Sequence, residues 1–292
     1  SLHDALPISN FNEPITKVEA GRQWENIDVW AEINDKYLII IEDKTYTSHH
    51  SNQLQRYKEN SEKWCINNNY EKPICIYLKT GNESQNSLSH VQQQGFSIFS
   101  RIDFIKLLTQ FKDTSNNIFT DFYERLTRIE ISNNEFENKL IKDWKGNDWQ
   151  GFFQFLEKQI PIINWNYVNN PNGGFWNAVL NWDYWGDYPA YLQLEEGKLC
   201  FKVSTDPEEV ELPEDITRGE VRNQLHNIIL TKANEFGLKN IRRPDRFGNG
   251  NYMTVAVVDR GNWLGADNEI LDKDTVVKTL TDYLTFLRDI IK

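Results

Sequence analysis

Two runs of β-branched and aromatic residues, Ile27-Asp28-Val29-Trp30-Ala31-Glu32-Ile33 and Tyr37-Leu38-Ile39-Ile40-Ile41-Glu42-Asp43-Lys44, are separated only by Asn34-Asp35-Lys36. That spacing predicts a β-hairpin with a three-residue loop. Ile33 then faces Tyr37, and counting back along both strands sets Asp28 opposite Glu42. Directly opposed residues on one sheet face have Cβ atoms about 5 Å apart, so this register predicts two neighbouring carboxylates. Residues i and i+2 of a strand share a face, which adds Lys44 to the pair. A slip of one residue would turn these side chains to the other face. The second strand is apolar on both faces from Leu38 to Ile41, the pattern of a central, buried strand. Like charges opposed at the end of such a strand are destabilising and costly to bury unless paired or bound to metal. A divalent cation such as Mg²⁺, which takes carboxylate oxygens, resolves that conflict.

An Asp on one strand, Glu42-Asp43-Lys44 ending the next, and then Gln53-Leu54-Gln55-Arg56-Tyr57 form a wider pattern. It resembles the PD-(D/E)XK nuclease superfamily, the restriction-endonuclease-like fold, and within it the subset bearing a QxxxY motif. The wording is most similar to bacterial members described only as nuclease family proteins. The resemblance covers roughly residues 15 to 110. It implies an α/β fold: a mixed central sheet flanked by helices. It implies a Mg²⁺-dependent hydrolase of phosphodiester bonds, with Mn²⁺ as a substitute, acting on nucleic acid and on DNA in preference to RNA. Asp28, Glu42, Lys44, Gln53 and Tyr57 are the expected catalytic set, and Asp28, Glu42 and the backbone carbonyl of Asp43 the expected metal ligands. Restriction, repair and phage defence are the settings the resemblance suggests, and it is compatible with a homodimer. Two rivals stand beside it. One is a catalytically inactive nuclease-fold module that binds a protein or nucleic-acid partner. The other is an RNA- or nucleotide-directed phosphohydrolase using the same metal site.

Composition bounds these readings. The chain has 292 residues, enough for two domains or one large one. Its 10 Trp, 12 Tyr and 16 Phe supply core material, which argues against disorder over most of the length. No apolar run approaches the roughly 20 residues of a membrane span. Three cysteines, Cys65, Cys75 and Cys200, are too few and scattered for a disulfide framework or a Cys-ligated metal, and a cytoplasmic location is expected. The net charge of −11 means that any grip on a polyanion must rest on local basic patches.

Residues 1–9 resemble a translated sequencing-adapter peptide, and the expectation is a non-native leader with native sequence starting near Asn10. The helix that precedes the first strand in the family, often a source of a further acidic residue, is expected to be missing. Residues 10–130 read as the nuclease-like domain. A first strand is expected over 15–20, a turn at Gly21-Arg22-Gln23, and a helix from Ser51 or Asn52 to about Trp64 with Gln53 and Tyr57 on one face. A strand at 73–79, a polar loop over 82–94, a strand at 96–99 and helices over 103–111 and 118–128 follow. The polar stretch 129–147 marks a boundary. Residues 140–292 read as an α+β domain for recognition or partner binding, with a mostly antiparallel sheet. Its expected elements are a helix over 149–160, a strand within 173–182, a hairpin over 191–203, a helix ending near Gly237, a strand at 252–258 and a closing helix.

Other features carry less. His49 and His50 could reach a metal or a phosphate; paired loop histidines are more often simply exposed. Trp176, Trp182, Tyr184, Trp185 and Tyr188 fit a strand packing on a core, with base stacking as the alternative. Arg242-Arg243-Pro244-Asp245-Arg246, the most basic loop in an acidic half, could grip phosphate or be a solvated turn. No phosphate-binding GxxxxGK[ST] loop, dinucleotide fingerprint or GxSxG elbow occurs.

Overall fold

The computed structural model describes residues 13–45, 52–171 and 173–291. Residues 1–9, His49 and His50 lie outside the described residues. Two compact units divide the chain, Ser1–Ile131 and Ser132–Lys292.

In the first unit, β1 (Val18–Trp24), β2 (Ile27–Ile33) and β3 (Tyr37–Lys44) form an antiparallel meander. Helix α1 (Gln53–Asn68) leads to β4 (Ile74–Lys79), which pairs parallel to β3. Helix α2 (Gln85–Gln93) leads to β5 (Ser97–Ser100), parallel to β4, and α3 (Arg101–Thr109) and α4 (Asn117–Asn134) complete the unit. The five-stranded mixed sheet has the order β1-β2-β3-β4-β5.

The hairpin between β2 and β3 has the register expected from its loop, Ile33 opposite Tyr37 and Val29 opposite Ile41. Its loop residues Asn34 and Asp35 sit at φ of 56° and 52°, where the short polar side chains of Asn and Asp are tolerated best. Both faces of β3 are covered. Leu38 and Ile40 pack with Leu54, Tyr57, Cys75 and Tyr77. Ile39 packs with Ile33 and Ile76 on the other face. This two-sided burial is why the run has no polar alternation. Ile40→Ala should cost about 2–5 kcal/mol, since Ile40 is fully buried; a urea unfolding midpoint matching the unsubstituted chain would contradict that central position.

Three local expectations need correction. The turn does not fall at Gly21-Arg22-Gln23: β1 runs on to Trp24, and the chain reverses at Glu25 and Asn26, both at positive φ. Gly21 is in the strand because it lies opposite Trp30, whose indole would stand 2.7 Å from any Cβ at that position. The polar loop over 82–94 contains α2, capped by the Ser84 hydroxyl and anchored by buried Val91. The boundary stretch begins in helix, since α4 continues to Asn134.

The second unit is a seven-stranded antiparallel sheet with helices. Its strands are β6 (Asn164–Val168), β7 (Phe175–Val179), β8 (Asp183–Trp185), β9 (Tyr188–Glu195), β10 (Lys198–Ser204), β11 (Ile241–Arg242) and β12 (Tyr252–Asp259). The main path is β11-β12-β10-β9-β7-β6, with β8 pairing β9. Helices α5 (Gly146–Leu156), α6 (Arg218–Glu235), α7 (Arg260–Trp263) and α8 (Lys273–Ile290) accompany it. Alternate residues Ala190, Leu192 and Leu194 of β9 and Leu199, Phe201 and Val203 of β10 join Phe152, Phe153, Leu225 and Leu280 in one core. Of the aromatic run, Trp176, Trp185 and Tyr188 pack against that core, while Trp182 stacks on Tyr191 at 4.7 Å and Tyr184 is exposed. Among the described residues no helix is long and apolar enough to cross a membrane. The three cysteines are buried and unpaired.

Candidate active site

The carboxylates meet where the β2–β3 ladder stops. Past Val29 opposite Ile41, the Asp28 side chain turns to β3, and its Oδ2 accepts the Asp43 backbone N–H at 2.9 Å. Glu42 is 1% exposed. Its Oε1 is held by Lys44 Nζ at 2.5 Å and accepts a hydrogen bond from Gln53 Nε2 at 2.8 Å. Gln53 Nε2 also donates to the Tyr57 hydroxyl at 2.9 Å. The helical spacing of Gln53 and Tyr57 and the alternation of Glu42 and Lys44 thus bring four side chains to one point. Glu42 Oε2 is buried with no hydrogen-bond partner.

Charge at this point is unbalanced. Burial pushes the Glu42 carboxyl above its ordinary value; the Lys44 hydrogen bond opposes the shift, and the Asp28 charge adds to it. Asp43 is also held above its ordinary value, by desolvation and then by repulsion from Asp28. For Lys44, burial pulls downward, but its bond to Glu42 and the surrounding carboxylates prevail and hold the ammonium above the usual lysine value. Lys44 is therefore a stably charged donor at neutral pH.

The donor chemistry suits a hard divalent cation: a buried orphaned carboxylate oxygen on Glu42 with the Asp28 carboxylate beside it. No cluster of three or more His, Cys, Asp or Glu metal-ligating side chains occurs among the described residues. The candidate set is accordingly the two carboxylates of Asp28 and Glu42.

Sequence reasoning missed a second buried charge group on the same sheet face. In the parallel β3–β4 register Glu42 lies opposite Tyr77, and Lys44 opposite Lys79. Lys79 pairs with Glu83 at 3.1 Å, and Glu83 also accepts from the Tyr77 hydroxyl at 3.0 Å and from Ser87 Oγ. Burial holds Lys79 below its ordinary value despite Glu83. Beyond them Arg101 ties Thr80, Asn82 and Glu130 together. Gly81 packs so closely that a Cβ would lie 1.8 Å from the Thr45 carbonyl oxygen, which pins the exits of β3 and β4 together. The signal for Lys79 was its place at the end of an apolar run; its partnership with Lys44 needs the parallel register.

A family model described as PD-(D/E)XK nuclease superfamily matches residues 8–146. Over that stretch, just under half of its length, the chain is similar to the PD-(D/E)XK nuclease superfamily. Searches of curated proteins and of solved structures returned no significant match. The superfamily stretch takes in the whole five-stranded sheet and all five residues of the expected catalytic set, while the seven-stranded sheet lies beyond it. Supporting partners of carboxylate ligands typically contribute 10- to 100-fold to metal affinity or activity. On that scale Gln53→Ala should lower kcat/KM for phosphodiester cleavage about 10-fold or more by loosening Glu42; an unchanged kcat/KM would remove Gln53 from the site.

Proposed function

We propose that this chain is a metal-dependent nuclease that hydrolyses phosphodiester bonds, with DNA preferred to RNA. The observation that carries the reading is the buried, unpartnered Oε2 of Glu42, set beside Asp28 within the superfamily stretch. Asp28, Glu42 and the Asp43 carbonyl would hold Mg²⁺ or Mn²⁺. Such an ion lowers the pKa of bound water and stabilises charge on a transferring phosphate. Lys44, kept protonated by Glu42, would orient the attacking water and neutralise developing phosphate charge rather than accept a proton. Gln53 and Tyr57 would fix the Glu42 rotamer. The superfamily resemblance favours DNA and suits restriction, repair or phage defence. The second unit would serve recognition.

The test is incubation of the chain with linear duplex, circular and single-stranded DNA and with RNA, in Mg²⁺ or Mn²⁺, against EDTA. Cleavage that EDTA abolishes, faster on DNA, is expected. A folded protein that binds nucleic acid yet cuts none of these substrates would replace the enzyme with an inactive binding module.

A further inference from the structure

A protein with a net charge of −11 that handles a polyanion needs a local surface of opposite sign. One such surface lies in the second unit, outside the superfamily stretch. Lys198, Arg222, Arg242 and Arg243 meet there with the carboxylates of Asp245 and Asp259, Arg246 follows on the same loop, and Glu195 faces Lys198 across the β9–β10 ladder, so five cations stand against three carboxylates.

The cations divide into two kinds. Arg242 is consumed internally, bonded to Asp259 at 2.7 and 2.8 Å and to Asp245 at 2.9 Å. Lys198 also pairs with Asp245, at 3.0 Å. Arg222 is structural: its Nη1 donates to the carbonyls of Phe247 and Gly248 at 2.9 and 2.8 Å and to the Asn249 side chain. Its guanidinium lies 4.0 Å from the Phe247 ring centroid, and His226 packs edge-on to the same ring at 5.0 Å. These contacts pin the loop. Arg243 and Arg246 are exposed on it. The Arg243 guanidinium rests 4.5 Å from the Phe247 centroid, and neither guanidinium forms a hydrogen bond or ion pair among the described residues. Buried Pro244 sits between them, and a residue before proline is restricted to extended backbone. Arg243 is thus pre-positioned on an aromatic face with its donors unspent, and a planar guanidinium of this kind binds phosphate oxygens in bidentate fashion.

We infer that residues 242–250, braced by Arg222 and Phe247, form a contact surface for the phosphate backbone of a nucleic acid, with Arg243 and Arg246 as the phosphate ligands. This rests on the nuclease reading and adds to it a substrate contact that the superfamily stretch does not contain. Phosphate contacts position a nucleic acid without reading its sequence, so the surface supplies affinity rather than base preference.

The test uses the full chain and the double variants Arg243→Ala/Arg246→Ala and Arg243→Lys/Arg246→Lys. Binding to a labelled DNA duplex is followed by fluorescence anisotropy in EDTA over about 0.05–0.3 M salt, and cleavage kinetics are measured with Mg²⁺. Each lost phosphate contact should flatten the log Kd against log salt slope by about 0.9 for a duplex. The alanine pair should therefore lose about 1.8 from the slope and weaken binding roughly tenfold. It should raise KM more than it lowers kcat, with an unchanged melting temperature. The lysine pair should restore most of the slope, because the charges remain. Equal slopes and affinities for the alanine pair and the unsubstituted chain would overturn the surface, even in a protein that cuts DNA. Failure of the unsubstituted chain to bind or cut any nucleic acid would remove the nuclease reading and this surface together. Binding whose salt slope the alanine pair flattens, in an unsubstituted chain that cuts no nucleic acid with Mg²⁺, would keep the surface and remove the nuclease reading.

Discussion

Replacing Lys44 by Ala should reduce phosphodiester cleavage by about 10²–10³-fold, the range for losing one preorganised donor to developing transition-state charge, and should also lower the melting temperature of the metal-free protein. Glu42 is buried, and the Lys44 ammonium is its only cationic partner among the described residues. Removing one partner of a buried ion pair typically costs about 3–5 kcal/mol, because the other charge is left uncompensated. The pH dependence follows from Glu42. A carboxyl whose folded pKa lies above its unfolded value is favoured in the protonated form, so its ionisation lowers stability as pH rises through the folded pKa. Burial already raises Glu42 with Lys44 in place. In Lys44→Ala the upward shift grows, so the destabilisation should be largest at neutral and alkaline pH. It should shrink as pH falls toward the ordinary glutamate value of 4.5. Divalent cation should recover part of the lost melting temperature, since Asp28 and Glu42 remain. Thermal unfolding across pH, with and without Mg²⁺, measures all of this. A variant that keeps the original cutting rate would remove Lys44 from the chemistry. A variant with the same melting temperature at every pH would mean that the Glu42–Lys44 pair contributes nothing to the fold.

Asp28→Asn separates function from stability in the opposite direction. The substitution keeps an oxygen that can accept the Asp43 backbone N–H but removes the charge that raises both Glu42 and Asp43. Relief of like-charge repulsion across strands is worth roughly 0.2–1 kcal/mol. The metal-free variant should therefore melt no lower than the unsubstituted chain at neutral pH, and by a small margin higher. Cleavage should fall about 100-fold or more, and the rise in melting temperature with Mg²⁺ should be lost. If Asp28→Asn instead melts well below the unsubstituted chain while retaining its Mg²⁺ response, Asp28 is a structural strand end and the metal is held elsewhere. Together the two variants describe a site under tension. Two carboxylates are held close by the fold, one cation balances them in part, and Oε2 of Glu42 is buried without a hydrogen-bond partner.

Much of this was legible in the chain itself. The Asn34-Asp35-Lys36 loop sets the hairpin register, because a strand has a period of two and a three-residue loop leaves one alignment. From that register follow the neighbourhood of Asp28 and Glu42 and the shared face of Glu42 and Lys44. The four-residue interval between Gln53 and Tyr57 likewise determines that both point the same way from a helix. Local signals were weaker where the residues are polar or the partner is remote. Helix α2 carries only Leu88 and Val91 as apolar residues, so its periodicity is faint, although Ser84 marks its start. In Asn164–Val168 two Asn, disfavoured in strands, interrupt the strand-favouring Trp165, Tyr167 and Val168, and pairing with β7 decides the outcome. Only the tertiary structure could join Lys79 to the site, because a parallel neighbour is brought in by a crossover whose register no turn dictates. The same holds for the second unit's basic loop. Its run of arginines is visible in the sequence, but which are consumed by Asp245 and Asp259 and which remain unspent depends on strands distant in the chain. Periodicity and short loops determine what neighbours along the chain will share; packing between distant segments decides which charges are buried, which are balanced, and which are left to meet a ligand.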